Sequence, residues 1–268
     1  MSSKIKGLAI VILLIFVTFS CQQKGETLEK AGIAISFDDH FIDEWYALRP
    51  LFQKYDAKVT FFITCGDSLK EDEIEKLKQL EADGHEIGFH GTVHNGRSTD
   101  FIEAEGPQKY AEMELIPGMG YMRAAGFAPT SYAHPGGNHN DRVDSVLFAH
   151  GFEILRDVAI ANRVYKGIPL YSIAPRVMDW IYYAFDKTRT VDALLIDTDS
   201  GLTHDDMRDA MQRAADTNTA LMLFGHEPLH GGPKAGEYGF DIAFLEKILI
   251  EAHARQLQYY TMSELPGL

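Results

Sequence analysis

The chain has 268 residues, 46% of them hydrophobic and 24% charged, the composition of a globular core rather than a fibrous or disordered polymer. Its formal net charge is -14, and no Lys/Arg block is long enough to make a basic patch. That balance excludes nucleic acid as a partner, because phosphate neutralisation dominates such binding.

At the N-terminus, Lys4 and Lys6 precede an apolar run from Leu8 to Phe19, which closes with Thr18-Phe19-Ser20-Cys21. A basic start, a short apolar stretch and a small residue before the cut describe a secretory signal over 1–20. This run of twelve residues is too short to span a bilayer comfortably. A Cys directly after Ser20 resembles the lipobox of bacterial lipoproteins. The resemblance implies cleavage before Cys21, lipidation of its thiol and a polar tether over 21–31. A catalytic domain over 32–268 is then held at the bacterial cell envelope through lipid alone. With Cys21 acylated, the other cysteine, Cys65, has no disulfide partner and reads as a small buried residue at a strand end.

The β-branched run Ile33-Ala34-Ile35 predicts a buried strand that carries Asp38 and Asp39 to its tip. Helical spacing follows over 44–55 and a strand over 59–64. Ser68-Leu69-Lys70-Glu71 has a capping-box pattern ahead of a helix through Ile74, Leu77 and Leu80, which Gly84 stops. A strand over 86–89 delivers His90. Residues 108–125 read as a helix broken at Pro117-Gly118, and 130–133 as a strand that runs into His134-Pro135-Gly136-Gly137. A helix over 141–150 and a strand over 152–155 come next. Residues 171–177 read as a strand, and 191–196 as helix or strand. Thr203 caps a helix to about 215, 220–224 is a strand ending in Gly225-His226, 240–254 a helix and 258–261 a strand. Strand and helix alternate throughout, which predicts one α/β domain with a parallel sheet, and seven or eight such units suit a barrel.

In such barrels, sites assemble from the C-terminal strand ends, and four of these ends carry unusual polar residues. Adjacent carboxylates at Asp38-Asp39 repel each other unless a cation compensates, and a metal on one leaves the other to move protons. His90 and His94 are spaced i, i+4, which places both on one side of a helical turn. His226-Glu227-Pro228-Leu229-His230 formally matches the zinc-protease pattern, but Pro228, Gly231, Gly232 and Pro233 argue against the helix this chemistry needs.

Taken together, these stretches resemble the polysaccharide deacetylase family with the NodB-homology domain (carbohydrate esterase family 4). Its motif T-F-D-D-G stands here as Ser36-Phe37-Asp38-Asp39-His40, H-[ST]-x-x-H as His90-Gly91-Thr92-Val93-His94, R-x-P-x-G as Ala133-His134-Pro135-Gly136-Gly137, and L-x-H as Phe224-Gly225-His226. The resemblance implies a distorted (β/α) barrel and metal-dependent removal of N- or O-acetyl groups from a poly- or oligosaccharide. It implies one divalent ion, usually zinc, on Asp39, His90 and His94, with Asp38 as general base and His226 as general acid. His134, Pro135 and Gly136 would border the substrate, with a backbone N–H near Gly136 in the oxyanion site. Asp179-Trp180 resembles a further motif whose Asp tunes the acid His and whose Trp walls the acyl pocket. Three departures stand out. Ala133 replaces the Arg that orients the base, for which Arg176 is a candidate substitute. His40 replaces a Gly and would narrow the site or add a polar contact, and Gly91 replaces a Ser/Thr, so its hydroxyl is missing or shifted to Thr92. A non-hydrolytic glycan-binding module is the alternative reading, with Tyr132, Tyr171 and Tyr238 as stacking candidates.

Overall fold

The computed structural model describes residues 30–94, 96–160, 164–165, 168–234 and 237–267. The expected signal segment, Cys21 and nearly all of the tether lie outside the described residues. Among the described residues, no helix is long and apolar enough to cross a membrane.

Seven parallel strands form the frame: β1 Gly32–Asp39, β2 Thr60–Ile63, β3 Glu86–Phe89, β4 Ser131–Ala133, β5 Ile154–Val158, β6 Thr190–Leu195 and β7 Ala220–Gly225. Each pairs with the next, and β1 returns to pair with β7 from Gly32↔Ala220 to Phe37↔Gly225, so the sheet closes into a barrel. The closed parallel barrel is the architecture the alternation of elements predicts. Parallel strands covered by helices are buried on both faces, which is why β1 and β7 read as nearly continuous apolar runs. Ile33, Ile35, Phe37, Phe61, Phe62, Phe89, Leu155 and Leu223 are all buried in one contiguous core.

The connecting helices differ from the sequence expectation in instructive ways. The helix expected over 44–55 is two, Ile42–Ala47 and Arg49–Lys54, because Pro50 lacks an amide proton and is accommodated only in a first helical turn. The next helix, Glu71–Ala82, is capped two residues later than the Ser68 pattern suggests, at Lys70. Glu73 reaches back to accept from the Lys70 backbone N–H at 2.8 Å. The span Ser98–Tyr110 is broken at Gly106, whose φ of +87 is not helical, so a short helical stretch precedes the helix expected from 108; the latter continues through a π-turn, Ala111–Leu115, and resumes as Ile116–Ala124 with Pro117 in its first turn. Residues Leu170–Val177, expected as a strand, are helical. Their buried positions Tyr171, Ala174 and Pro175, with Met178 just beyond, follow the i, i+3, i+4, i+7 stripe of a helix and not the alternation of a strand. Residues 191–196, which the sequence leaves open between helix and strand, lie largely in β6, Thr190–Leu195. The helix His204–Thr217 has the expected Thr203 cap, with Asp206 completing a capping box.

Candidate active site

The C-terminal ends of β1, β3, β4, β6 and β7 surround a cleft of about 370 Å³ lined by Asp38, Asp39, His90, His94, His226 and Asp197, among others. A larger cleft of about 660 Å³ between Pro107 and His150 contains none of these groups.

Successive side chains on β1 diverge, and the register pairs Asp38 with Phe62 and Asp39 with Ile63. Asp39 has φ +88, a conformation rare outside glycine, which re-aims its carboxylate into the cleft mouth. Its Oδ1 lies 3.6 Å from His90 Nε2 and 3.3 Å from His94 Nε2. The Nδ1 of His90 stands 2.9 Å from the Ala133 carbonyl, which can only accept. Nδ1 therefore carries the proton, and the Nε2 lone pair faces Asp39, the tautomer a metal ligand needs. Burial holds the His90 imidazole down at about 4 against the pull of Asp38 and Asp39, so it stays neutral. One carboxylate oxygen and two imidazole nitrogens within 4.8 Å of one another are a donor set that fits a divalent ion of the zinc class.

The His90–His94 pair converges without the helical turn its spacing suggested. Gly91 at φ +84 and His94 at φ +52 curl the segment back, bringing the rings to 5.0 Å. A Cβ at position 91 would stand 3.0 Å from Glu114 Oε2, so the Ser/Thr of the related motif has neither the conformation nor the room here. Thr92 supplies the hydroxyl instead. It donates to the Glu114 carbonyl and accepts from the Gly118 amide, both at 3.0 Å, and so fastens the loop to the helix around the π-turn.

Asp38 is almost fully buried, and its Oδ2 takes a charged hydrogen bond from Arg156 Nη2. Arg156 lies on β5 directly beside Ala133 on β4 in the sheet register, so a guanidinium one strand over occupies the space next to Asp38. Its Cζ sits 4.4 Å from the Phe224 ring centroid and 5.5 Å from that of Phe62. Burial pushes the Asp38 carboxyl up, but the Arg156 guanidinium, helped by His226, outweighs it and holds it below the ordinary carboxylate range. Asp38 Oδ1 has no hydrogen-bond partner among the described residues, which leaves one oxygen able to accept a proton. Arg176 does not fill this role: it is half-exposed and pairs with Asp209 at 2.8 Å and Asp206 at 3.5 Å.

His226 Nδ1 donates to Asp197 Oδ2 at 2.6 Å, and the His226 backbone N–H donates to Asp197 Oδ1 at 3.1 Å. Burial drives its pKa down, but the Asp197 hydrogen bond and charge, helped by Asp38 and Asp39, leave it raised above an ordinary imidazole. The Trp45 indole N–H fixes the His226 carbonyl at 3.0 Å. Tyr238 packs edge-on against the His226 ring and donates its hydroxyl to Asp39 Oδ2 at 2.7 Å.

The remaining expected residues divide. Gly136, at φ +61, and His134 line the cleft, while Pro135 is buried and packs behind the site near Gly91. Asp179 and Trp180 do not meet His226. Asp179 pairs with Arg213, and Trp180 is 52% exposed in a separate cleft; Asp197 is the carboxylate that tunes the histidine. His40 turns outward, donating to the Thr64 carbonyl at 2.8 Å, and does not narrow the cleft. Tyr132 is wholly buried and unable to stack on a ligand, whereas Tyr171 and Tyr238 line the cleft. The zinc-protease pattern has no helix. Pro228–Leu229 is a short strand paired with Phe240–Asp241, His230 is exposed, and His226 is engaged by Asp197.

Residues 25–155 match the family model described as polysaccharide deacetylase. A stretch of 142 residues is 28% identical to a gellan lyase from Bacillus sp., covering 53% of this chain and 5% of that protein. Another of 106 residues is 31% identical to a peptidoglycan deacetylase from Helicobacter pylori, covering 40% of this chain and 34% of that protein. The chain thus spans about a third or less of the length of these curated relatives. Among solved structures, a candidate polysaccharide deacetylase from Mycobacterium smegmatis superposes with a TM-score of 0.54 at 16% identity, covering 88% of this chain and 90% of that one. A mutant peptidoglycan deacetylase from Bacillus subtilis does so with a TM-score of 0.51 at 16% identity, covering 89% and 91%. These two share the fold of this chain.

Proposed function

We propose that this chain, whose residues 25–155 match the polysaccharide deacetylase family, is a metal-dependent hydrolase that removes acetyl groups from an acetylated poly- or oligosaccharide. The observation that carries the proposal is the convergence in one cleft of a donor set, a buried carboxylate with one unengaged oxygen, and a carboxylate-tuned histidine. The likeness to a peptidoglycan deacetylase supports an envelope glycan as the substrate class.

Asp39, His90 and His94 would hold the ion, zinc by the nature of its donors, which when bound polarises the acetyl carbonyl and the attacking water. Asp38 Oδ1 takes the proton of that water, while Arg156 keeps the carboxylate ionised and oriented. Water adds to the acetyl carbon, the bond from that carbon to the sugar nitrogen or oxygen breaks, and acetate leaves. His226 gives a proton to the departing atom. Asp197 on Nδ1 keeps the histidine protonated and leaves Nε2 for the transfer. Gly136 at the rim offers a backbone N–H to the developing oxyanion.

The test is incubation of the zinc-loaded chain with a panel of acetylated oligosaccharides, followed by detection of free acetate. Release that is lost in Asp38→Asn supports the hydrolase. Saturable binding without acetate release sinks it in favour of a glycan-binding module. We further propose, from Lys4, Lys6 and the Ser20-Cys21 junction, that the chain is exported and anchored by lipid on Cys21. Cys21→Ser should release it from the membrane fraction; persistence there after a high-salt wash refutes the anchor.

A further inference from the structure

Beside the cleft, a second cluster of metal-ligating side chains has no part in the chemistry above. It is built on three rigid positions: His134 at the end of β4, His139 just before the helix Asp141–Ala149, and Asp144 in the first turn of that helix. Asp144 Oδ1 lies 3.3 Å from His134 Nε2 and 2.9 Å from His139 Nδ1, and the three donor atoms lie within 4.8 Å of one another. Around a tetrahedral ion with ligands at about 2.0–2.2 Å, neighbouring donors sit roughly 3.2–3.6 Å apart. The His134–Asp144 separation falls in that range, and the His139–Asp144 separation of 2.9 Å is a few tenths of an ångström shorter.

Two further observations point to an ion. The His134 side chain is wholly buried, yet its Nδ1 has no hydrogen-bond partner and its Nε2 has only a 3.3 Å approach to Asp144. A buried polar group left so is costly. On the far side of the cluster, His139 Nε2 stands 2.9 Å from Asp157 Oδ2, and Thr190 Oγ1 donates to Asp144 Oδ2 at 3.3 Å. A carboxylate on the outer nitrogen of a ligating imidazole is the usual support of a metal histidine. We propose that His134, His139 and Asp144 form a second divalent-metal site of the zinc class, separate from Asp39–His90–His94, with Asp157 as its outer carboxylate. The partial exposure of His139 and Asp144 provides the route of entry.

The rival occupant is a proton. Hydrogen bonds from Asp144 and Asp157 push the His139 imidazole up to about 10, so His139 can stand as an imidazolium between two carboxylates. That arrangement satisfies His139 and leaves His134 stranded. An ion in place of the Nδ1 proton engages both His139 Nδ1 and His134 Nε2.

The full chain, stripped with EDTA and dialysed against zinc, distinguishes the two by elemental analysis. Two zinc ions per wild-type chain are expected, one in His139→Ala, one in Asp144→Asn and one in His90→Ala. Cobalt bound to His90→Ala should show the intense visible bands of a low-coordinate site, and these should vanish in the His90→Ala/His139→Ala double variant. One ion per wild-type chain that is lost in His90→Ala and kept in His139→Ala overturns the second site. So does an unchanged count of two in a folded His139→Ala chain. Should His139→Ala fail to fold by circular dichroism, the count in His90→Ala still decides, because zero there overturns the proposal. One ion in the wild type that survives His90→Ala and is lost in Asp144→Asn upholds this site and refutes the Asp39–His90–His94 ligand set.

Discussion

Replacing Arg156 tests the most consequential contact in the cleft. In Arg156→Met the Asp38 carboxylate keeps its burial and loses its cation, and both side chains are at most 3% exposed, so solvent does not screen the loss. Breaking one partner out of a buried ion pair costs about 3–5 kcal/mol. For a domain of this size that is a fall in Tm of roughly 6–20 °C. The pH dependence separates this cause from a generic packing defect. In the wild type Asp38 is held below the ordinary carboxylate range, so the pair stabilises fully at neutral pH and the contribution fades as pH falls through the folded pKa. In the variant burial prevails, the carboxyl rises, and acidification relieves the strain. The Tm gap between the two proteins should therefore narrow as pH falls. The acidic limb of the acetate-release profile should move to higher pH, while zinc content stays unchanged. Arg156→Lys keeps the charge but loses the flat guanidinium beside Phe224, and should fall between. Adding Asp38→Asn to Arg156→Met should recover part of the lost stability, as a double-mutant cycle would show. A Tm gap independent of pH with an unmoved acidic limb would refute the pairing as the source of Asp38's ionisation.

Asp38→Asn alone should abolish acetate release while elemental analysis finds metal at the wild-type level, because Asp39 and not Asp38 completes the donor set; loss of the ion would make Asp38 a ligand. Asp197→Asn removes the charge that outweighs burial at His226, so the alkaline limb of the rate profile should shift to lower pH and the maximal rate should drop. An unmoved alkaline limb would detach that limb from His226. Gly91→Ser restores the hydroxyl of the related motif but forces a side chain into φ +84 and against Glu114, and should lower stability by about 1–2 kcal/mol in a denaturant titration. A neutral result there would mean that the loop can uncurl without loss.

What the sequence disclosed follows from where information resides in the chain. Strands buried on both faces are unbroken apolar runs, so β1, β2 and β7 are visible in one dimension, and so are the polar residues at their tips. Arg156 is invisible for the complementary reason. It lies inside a strand, where a charge after Ile154-Leu155 reads as the strand's end, and its meaning comes from sitting opposite Ala133 in the register. An Arg one residue into a supposed loop, one strand from the missing one, was the available signal. Asp197 had a comparable signal, a carboxylate straight after the apolar run Leu194-Leu195-Ile196, masked by uncertainty over whether 191–196 was helix or strand. Asp179 resembles the tuning carboxylate only through its neighbouring Trp, a local likeness that the barrel's three-dimensional order does not respect. Positive-φ positions such as Asp39 and His94 leave no mark at all in composition or periodicity.

Closure of the barrel has a kinetic consequence. On one edge β1 meets β2 within a few dozen residues, but on the other it meets β7, where Ser36 Oγ reaches the Leu223 carbonyl across 187 positions of sequence. Until Gly225 has been synthesised, the strand that bears Asp38 and Asp39 keeps an open edge, and His226 has yet to reach Asp38. Long-range parallel pairing is slow because loop entropy must be lost before any contact rewards it. The docking of 220–225 against 32–37 is thus the late event that seals the edge against wrong pairing and creates the cleft in the same step.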